Sequence, residues 1–171
     1  MKHETYKRIY EKQAAFYFKN AWARKALQAI NYAATLTIAT GFFALLIYLS
    51  IKREWLDALF TATVCLAAYF AVTLLRYVFK RSRPYDEKGA GITPVFKKID
   101  GTGKSFPSRH LTSAFVIGTV FLPYATGAAI LIYALGSLLG YARYAAGLHY
   151  PTDLLAGALL GVFFGLLIFI L

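Results

Sequence analysis

The sequence predicts an all-α fold: a polytopic membrane helical bundle of five transmembrane helices, preceded by an N-terminal amphipathic helix lying in the interface. Three observations predict it. The composition is 58% hydrophobic and 17% aromatic with a mean hydropathy of +0.52, too apolar for an ordinary soluble domain. Five apolar stretches, about 28–50, 56–79, 108–124, 126–146 and 152–171, each approach the ~20 residues that ~30 Å of hydrocarbon requires at ~1.5 Å rise per residue. Charged residues gather between these stretches and at their ends.

Residues 1–25 come first. Tyr6, Ile9, Tyr10, Ala14 and Tyr17 share one helical face, while Glu4, Lys7, Arg8, Glu11 and Lys19 occupy the other, the pattern of a helix in the plane of the interface. No apolar core follows the first charges closely, so a secretory signal is not expected. Lys52, Arg53 and Glu54 separate the first two spans; Pro123 and Gly127 leave only a tight turn between the third and fourth. The long connection, 80–106, is rich in Gly, Pro, Lys and Asp and reads as an irregular polar loop at one membrane face. The chain reads as a single domain, 1–171, with no internal repeat. Cys65 is the only cysteine, which excludes an intrachain disulfide and suits a small core residue.

A formal net charge of +11 is compatible with nucleic acid, an anionic membrane surface or a phosphorylated ligand. Five spans exclude nucleic acid as a natural partner and leave the lipid bilayer and its phosphates. Counting spans places the end of the second, the start of the third, the end of the fourth and the start of the fifth at one face. Arg76, Lys80, Arg81, Arg83, Ser108, Arg109, His110, Arg143, His149 and Asp153 all fall there, whereas the opposite face offers Lys52, Arg53, Glu54 and Asp57.

Two segments at the loaded face carry chemistry. In KSFPSRH, 104–110, Pro107 fits the first turn of a helix, whose free N–H groups favour an anion; Ser108 adds a hydroxyl, Arg109 a charge and His110 a titratable ring. Helix capping with snorkelling basic residues is the plainer reading of that segment. In RYAAGLHYPTD, 143–153, Gly147 can end the fourth span and Pro151 can start the fifth, leaving His149 on the turn. Asp153 lies one helical turn beyond. An isolated Asp costs roughly 2.5–3.5 kcal/mol deep in a membrane helix, so it needs a partner, and His149 is the nearest candidate. A carboxylate accepting from one imidazole nitrogen leaves the other free as base or nucleophile. A neutral helix-capping hydrogen bond is the plainer alternative.

RYVFKRSRP (76–84), PSRH (107–110) and RYAAGLHYPTD (143–153) together resemble the three-part signature of the type 2 phosphatidic acid phosphatase (PAP2) superfamily, over about residues 70–171. Order and spacings match. Arg76 stands where the family usually has Lys, Ala142 where it has Ser, and Arg109 where it has Gly. The resemblance implies hydrolysis of a lipid phosphate monoester or polyprenyl diphosphate without metal or other cofactor. It implies His149 as nucleophile forming a phosphohistidine, Asp153 orienting it, and His110 as acid and then base. Arg76, Arg83, Ser108, Arg109 and Arg143 would bind phosphate, and Lys80 and Arg81 would be headgroup or structural contacts.

The implied substrate is an amphiphile of the phosphatidic acid, phosphatidylglycerophosphate or undecaprenyl diphosphate type. The resemblance also implies a multi-pass protein of the cell membrane with its site on the extracytoplasmic face. The positive-inside tendency opposes that orientation, because Lys2, Lys7, Arg8, Lys12, Lys19, Arg24 and Lys25 lie at the loaded face. Three rivals remain: a flippase-like protein that binds phosphorylated lipids without cleaving them, a metal site built from His110, His149 and Asp153, and a vanadium-dependent haloperoxidase, against which the spans argue. Oligomeric state is not encoded in any recognisable pattern.

Overall fold

The computed structural model describes residues 3–86, 91–96 and 104–170, with side chains from Thr5 onward. Lys2, the Glu4 side chain and, within the 80–106 loop, 87–90 and 97–103 lie outside the described residues. Six α-helices follow in order: α1 His3–Lys19, α2 Ala21–Ile51, α3 Trp55–Phe79, α4 Arg109–Phe121, α5 Thr126–Ala145 and α6 Pro151–Gly165, the last continued by a 3₁₀ turn, Leu166–Phe169. Among the described residues there is no strand.

Four helices are long and apolar enough to cross a membrane: α2, α3, α5 and the run Pro151–Phe169. The third predicted span differs. Helix α4 is 13 residues, shorter than the expected 108–124. Its length keeps it out of that set, and α4 lies inside the bundle. Leu111, Thr112, Ala114 and all of Val116–Phe121 are buried, so its surface meets other helices rather than lipid and can carry Thr and Gly.

The closest helix pair is α4 with α6, and glycine makes it possible. Gly157, Gly161 and Gly165 recur every fourth residue along one face of α6. A Cβ on Gly157 would stand 2.6 Å from the Ser108 carbonyl oxygen, one on Gly161 2.5 Å from that of Thr112, and one on Gly165 would strike the Thr119 side chain. Backbone therefore packs directly on backbone, the small-residue packing of membrane helices.

The N-terminal segment departs from expectation in two ways. The helix ends at Lys19, not near 25, because Asn20 is extended (φ −113°, ψ 97°) and turns the chain into α2; its side-chain amide caps the Phe16 carbonyl at 2.9 Å. Its tyrosine face is also covered by this protein itself. Tyr6, Tyr10, Ala14 and Tyr17 are buried in one cluster with Ala142, Ala145, Ala146, Leu148 and Tyr150, whereas Ile9 is exposed. The Tyr10 hydroxyl donates to the Thr93 carbonyl at 2.7 Å, and burial pushes its pKa up to about 12.

Candidate active site

Helix ends set the site. Arg76 lies in the last turn of α3, and the chain then leaves through Lys80 in the left-handed region (φ 45°). Arg143 lies in the last turn of α5, where Gly147 turns the backbone with φ +73°. Only glycine suits that point twice over: the conformation is left-handed, and a Cβ would stand 2.7 Å from the Tyr10 ring. His149 follows on the turn and Pro151 opens α6 as expected, with Tyr150 before it.

At the other motif the expectation needs correction. Pro107 is not in the first helical turn: Ser108 is the residue preceding α4, Arg109 opens the helix, and the Phe106–Pro107 peptide is cis. The Ser108 N–H donates to the Asp153 carbonyl at 2.9 Å, tying the start of α4 to the start of α6. This bond holds Pro107 and Ser108 outside the helix. Among the described residues no side chain caps α4, which leaves its first-turn N–H groups without a capping partner.

Asp153 is fully buried and its carboxylate makes four contacts among the described residues. Its Oδ2 accepts from the Ser105 hydroxyl at 2.6 Å and the Tyr150 N–H at 3.0 Å, Oδ1 accepts from Arg81 at 2.9 Å, and His149 Nδ1 lies 3.6 Å from Oδ2. The histidine is the expected partner but the most distant of the four. Both readings of this acid hold together: it caps α6 and it faces the imidazole. Ser105 also lies 3.4 Å from His149 Nδ1. A proton on Nδ1 is thus drawn toward oxygen, and Nε2 is left with its lone pair.

Ser105 was not expected here, and Arg81 was expected at this face without a named partner. Ser105 stands within the same KSFPSRH segment, three residues before Ser108, so proximity was its available signal. Arg81, expected as a headgroup or structural contact, spans to Asp153 and packs its guanidinium 4.3 Å from the Tyr150 ring centroid.

Three guanidinium groups converge from three separate segments. Arg76, Arg83 and Arg143 are each 5% exposed. Arg76 donates to the Pro107 carbonyl at 3.2 Å and Arg83 to the Leu148 carbonyl at 3.5 Å. Arg83 Nε, Arg143 Nε and Ser108 Oγ are buried with no hydrogen-bond partner among the described residues. Buried unpaired donors are costly, and three together form a site suited to an anion's oxygens. Burial, with Arg83 and Arg143 acting in the same direction against the pull of Asp153, lowers the His149 pKa to about 4.

His110 and Arg109, both half-buried, open α4. They line a cavity of about 350 Å³ with Ile38, Ala39, Tyr69 and Leu139 among its walls. An apolar hollow of about 360 Å³ between α2 and α3 shares Tyr69, Ser113 and Ile117 with it and includes Cys65. Among the described residues, no group of three or more His, Cys, Asp or Glu could hold a metal ion.

The chain has relatives among known proteins. The chain is 29% identical over 162 residues to a lipid A 4'-phosphatase of Bacteroides thetaiotaomicron, covering 90% of this chain and 68% of the relative. It is 40% identical over 65 residues to the bacitracin transport permease protein BcrC of Bacillus licheniformis, covering 38% of this chain and 32% of that protein. Two crystal structures share the fold. Aquifex aeolicus LpxE has a TM-score of 0.64 at 24% identity, covering 89% of this chain and 88% of that one. A transmembrane PAP2-type phosphatidylglycerolphosphate phosphatase from Bacillus subtilis has a TM-score of 0.67 at 20% identity, covering 96% and 83%. With four helices fit to cross a bilayer and relatives of this kind, the chain is a multi-pass membrane protein. The PAP2 superfamily pattern matches residues 57–171, and the chain belongs to that superfamily.

Proposed function

We propose that this protein hydrolyses a lipid phosphate monoester or diphosphate through a phosphohistidine on His149, without a metal. A phosphoric-ester hydrolase is what PAP2 membership and the lipid A 4'-phosphatase relative support. The observation that carries the mechanism is the cluster of unpartnered buried donors, Arg83 Nε, Arg143 Nε and Ser108 Oγ, beside the His149–Asp153 pair. A phosphoryl group placed there has its charge met by fixed donors while His149 Nε2 faces phosphorus.

Asp153 and Ser105 hold the imidazole by its Nδ1 edge. His110 protonates the departing oxygen and later takes a proton from water. Arg76, Arg83 and Arg143 with Ser108 bind the non-bridging oxygens. The apolar hollow between α2 and α3 supports a substrate whose tail stays in the hydrocarbon, as the phosphatidic acid, phosphatidylglycerophosphate and undecaprenyl diphosphate types all do. Five crossings follow if α4, although short, carries the chain from the site to the turn before α5. The family resemblance favours the cell membrane with the site on its extracytoplasmic face.

A transport role is the second reading, favoured by the description of the Bacillus licheniformis relative as a permease. Phosphate release by detergent-purified protein from the three lipids, with EDTA present, separates the two. Release that disappears in His149→Ala is expected. A folded wild type that binds these lipids and releases nothing would replace hydrolysis with transport.

A further inference from the structure

Resting on the phosphatase reading, we propose that Arg109, steadied by Tyr69, is a specificity-determining residue that binds a second phosphate on the leaving-group side of the substrate. The chemical class is a lipid with two phosphates, either joined directly or separated by a short polar spacer.

Arg109 is not among the charges acting on His149. The charges acting on His149 are Arg83, Arg143 and Asp153, whereas Arg109 acts on His110 and Arg76. Its guanidinium turns toward α3, donating to the Tyr69 hydroxyl at 3.3 Å with its centre 5.9 Å from that ring. It lines the 350 Å³ cavity together with His110. Other walls of that cavity are apolar: Ile38, Ala39, Ala114, Ile117 and Leu139.

Displacement at phosphorus expels the leaving group opposite the nucleophile. His110 is the proposed donor to that leaving oxygen, so the departing group enters the space His110 lines. A permanent cation beside an apolar wall is poorly matched to an alcohol and well matched to an anion. In the first step the His149 Nε2 lone pair forms an N–P bond, and the P–O bond to the leaving group breaks. The electron pair stays on the leaving oxygen, which takes a proton from His110. Water then cleaves the N–P bond, losing its proton to His110, and inorganic phosphate departs. When the leaving group is itself a phosphate ester, its charge falls on Arg109, which stabilises the departing group directly. With a lone monoester Arg109 meets no such charge.

The test compares substrate pairs that differ only in the second phosphate: a polyprenyl diphosphate against the monophosphate of the same chain, and phosphatidylglycerophosphate against phosphatidic acid of the same acyl composition. The readout is the ratio of kcat/KM within each pair, for wild type, Arg109→Gly, Arg109→Lys and Tyr69→Phe, each checked for folding by its melting curve. Loss of a charged bidentate contact is expected to lower the ratio by about tenfold to a hundredfold in Arg109→Gly. Arg109→Lys and Tyr69→Phe should fall between and keep the proposal testable if the glycine variant does not fold. A fall in the first pair alone assigns a directly joined second phosphate, and a fall in the second pair alone assigns a spaced one. Phosphate release with ratios unmoved in both pairs overturns this inference and leaves the phosphatase reading standing. No release from any of the four lipids by folded wild type removes both.

Discussion

The Ser105 hydroxyl donates to Asp153 Oδ2 across 2.6 Å while lying 3.4 Å from His149 Nδ1, so one side chain fixes the geometry of the other two. Ser105→Ala should lower kcat by roughly tenfold, the worth of a hydrogen bond to a charged group, with a smaller change in KM. Asp153→Asn removes the charge and the tautomer control together and should cost on the order of 10³–10⁴-fold. Steady-state kinetics on one lipid substrate decide it; a Ser105→Ala effect confined to KM would place Ser105 in binding instead of orientation.

His149 is held neutral by its surroundings, and this has a thermodynamic consequence. Its folded pKa of about 4 lies below the ordinary 6.5, so between those values the unfolded chain binds more protons than the folded one. The contribution of this group is fully present above about pH 6.5 and is lost as pH falls toward 4, up to roughly 3 kcal/mol. Melting temperatures of detergent-solubilised wild type should therefore drop between pH 7 and pH 4.5, and His149→Gln should drop less. Parallel curves for the two proteins would assign the acid sensitivity elsewhere.

The α4–α6 contact predicts a sharp contrast between two glycines. Gly161→Ala places a methyl 2.5 Å from the Thr112 carbonyl and 2.9 Å from both the Phe115 Cβ and the Val116 nitrogen, so the helices must part, at about 1–3 kcal/mol. Gly127→Ala, in the first turn of α5, meets nothing within 4 Å and should be neutral or stabilising by up to about 1 kcal/mol. Thermal unfolding of both variants tests the contrast, and equal melting points would remove the glycine face from the account of the fold.

The turn carrying His149 depends on α1. Tyr10→Phe loses the bond to the Thr93 carbonyl and should cost about 1 kcal/mol. Gly147→Ala should cost more and lower kcat as well, because the turn it distorts holds Arg143 on one side and His149 on the other. Adding Tyr10→Ala to Gly147→Ala removes the clash but not the left-handed strain, so the double variant should recover part of the lost activity. A double variant no better than the single one would show that backbone strain alone is responsible.

How far the chain could be read from residues alone follows from what each residue contacts. Spans facing lipid announce themselves by apolarity, and α3 and α5 match their expected limits within a residue or so. Helix α4 is surrounded by protein, so its composition answers to packing and its boundaries were overestimated. The three motifs located His149, Asp153, Arg76, Arg83 and Arg143 because helix ends at one face must meet. Ser105 and the partner of Arg81 escaped because they depend on how an irregular loop folds back, which neither spacing nor periodicity records. The glycine face of α6 went unread, although Gly157, Gly161 and Gly165 recur every fourth residue, because spacing alone does not say which helix packs on it. The partner of the tyrosine face of α1 was not, since an amphipathic pattern specifies that a face is covered without naming the cover.

That covering ties two questions of sidedness into one. Because Tyr6 and Tyr10 pack against the turn bearing His149, the exposed edge of α1 and the His149 end of the bundle lie on the same side of the bilayer. A single cysteine introduced at the exposed Lys12 thus serves as a reporter for the catalytic end without touching it. Labelling by a membrane-impermeant maleimide in intact cells would put both outside, and labelling only after lysis would put both within, in a background where Cys65 has been replaced.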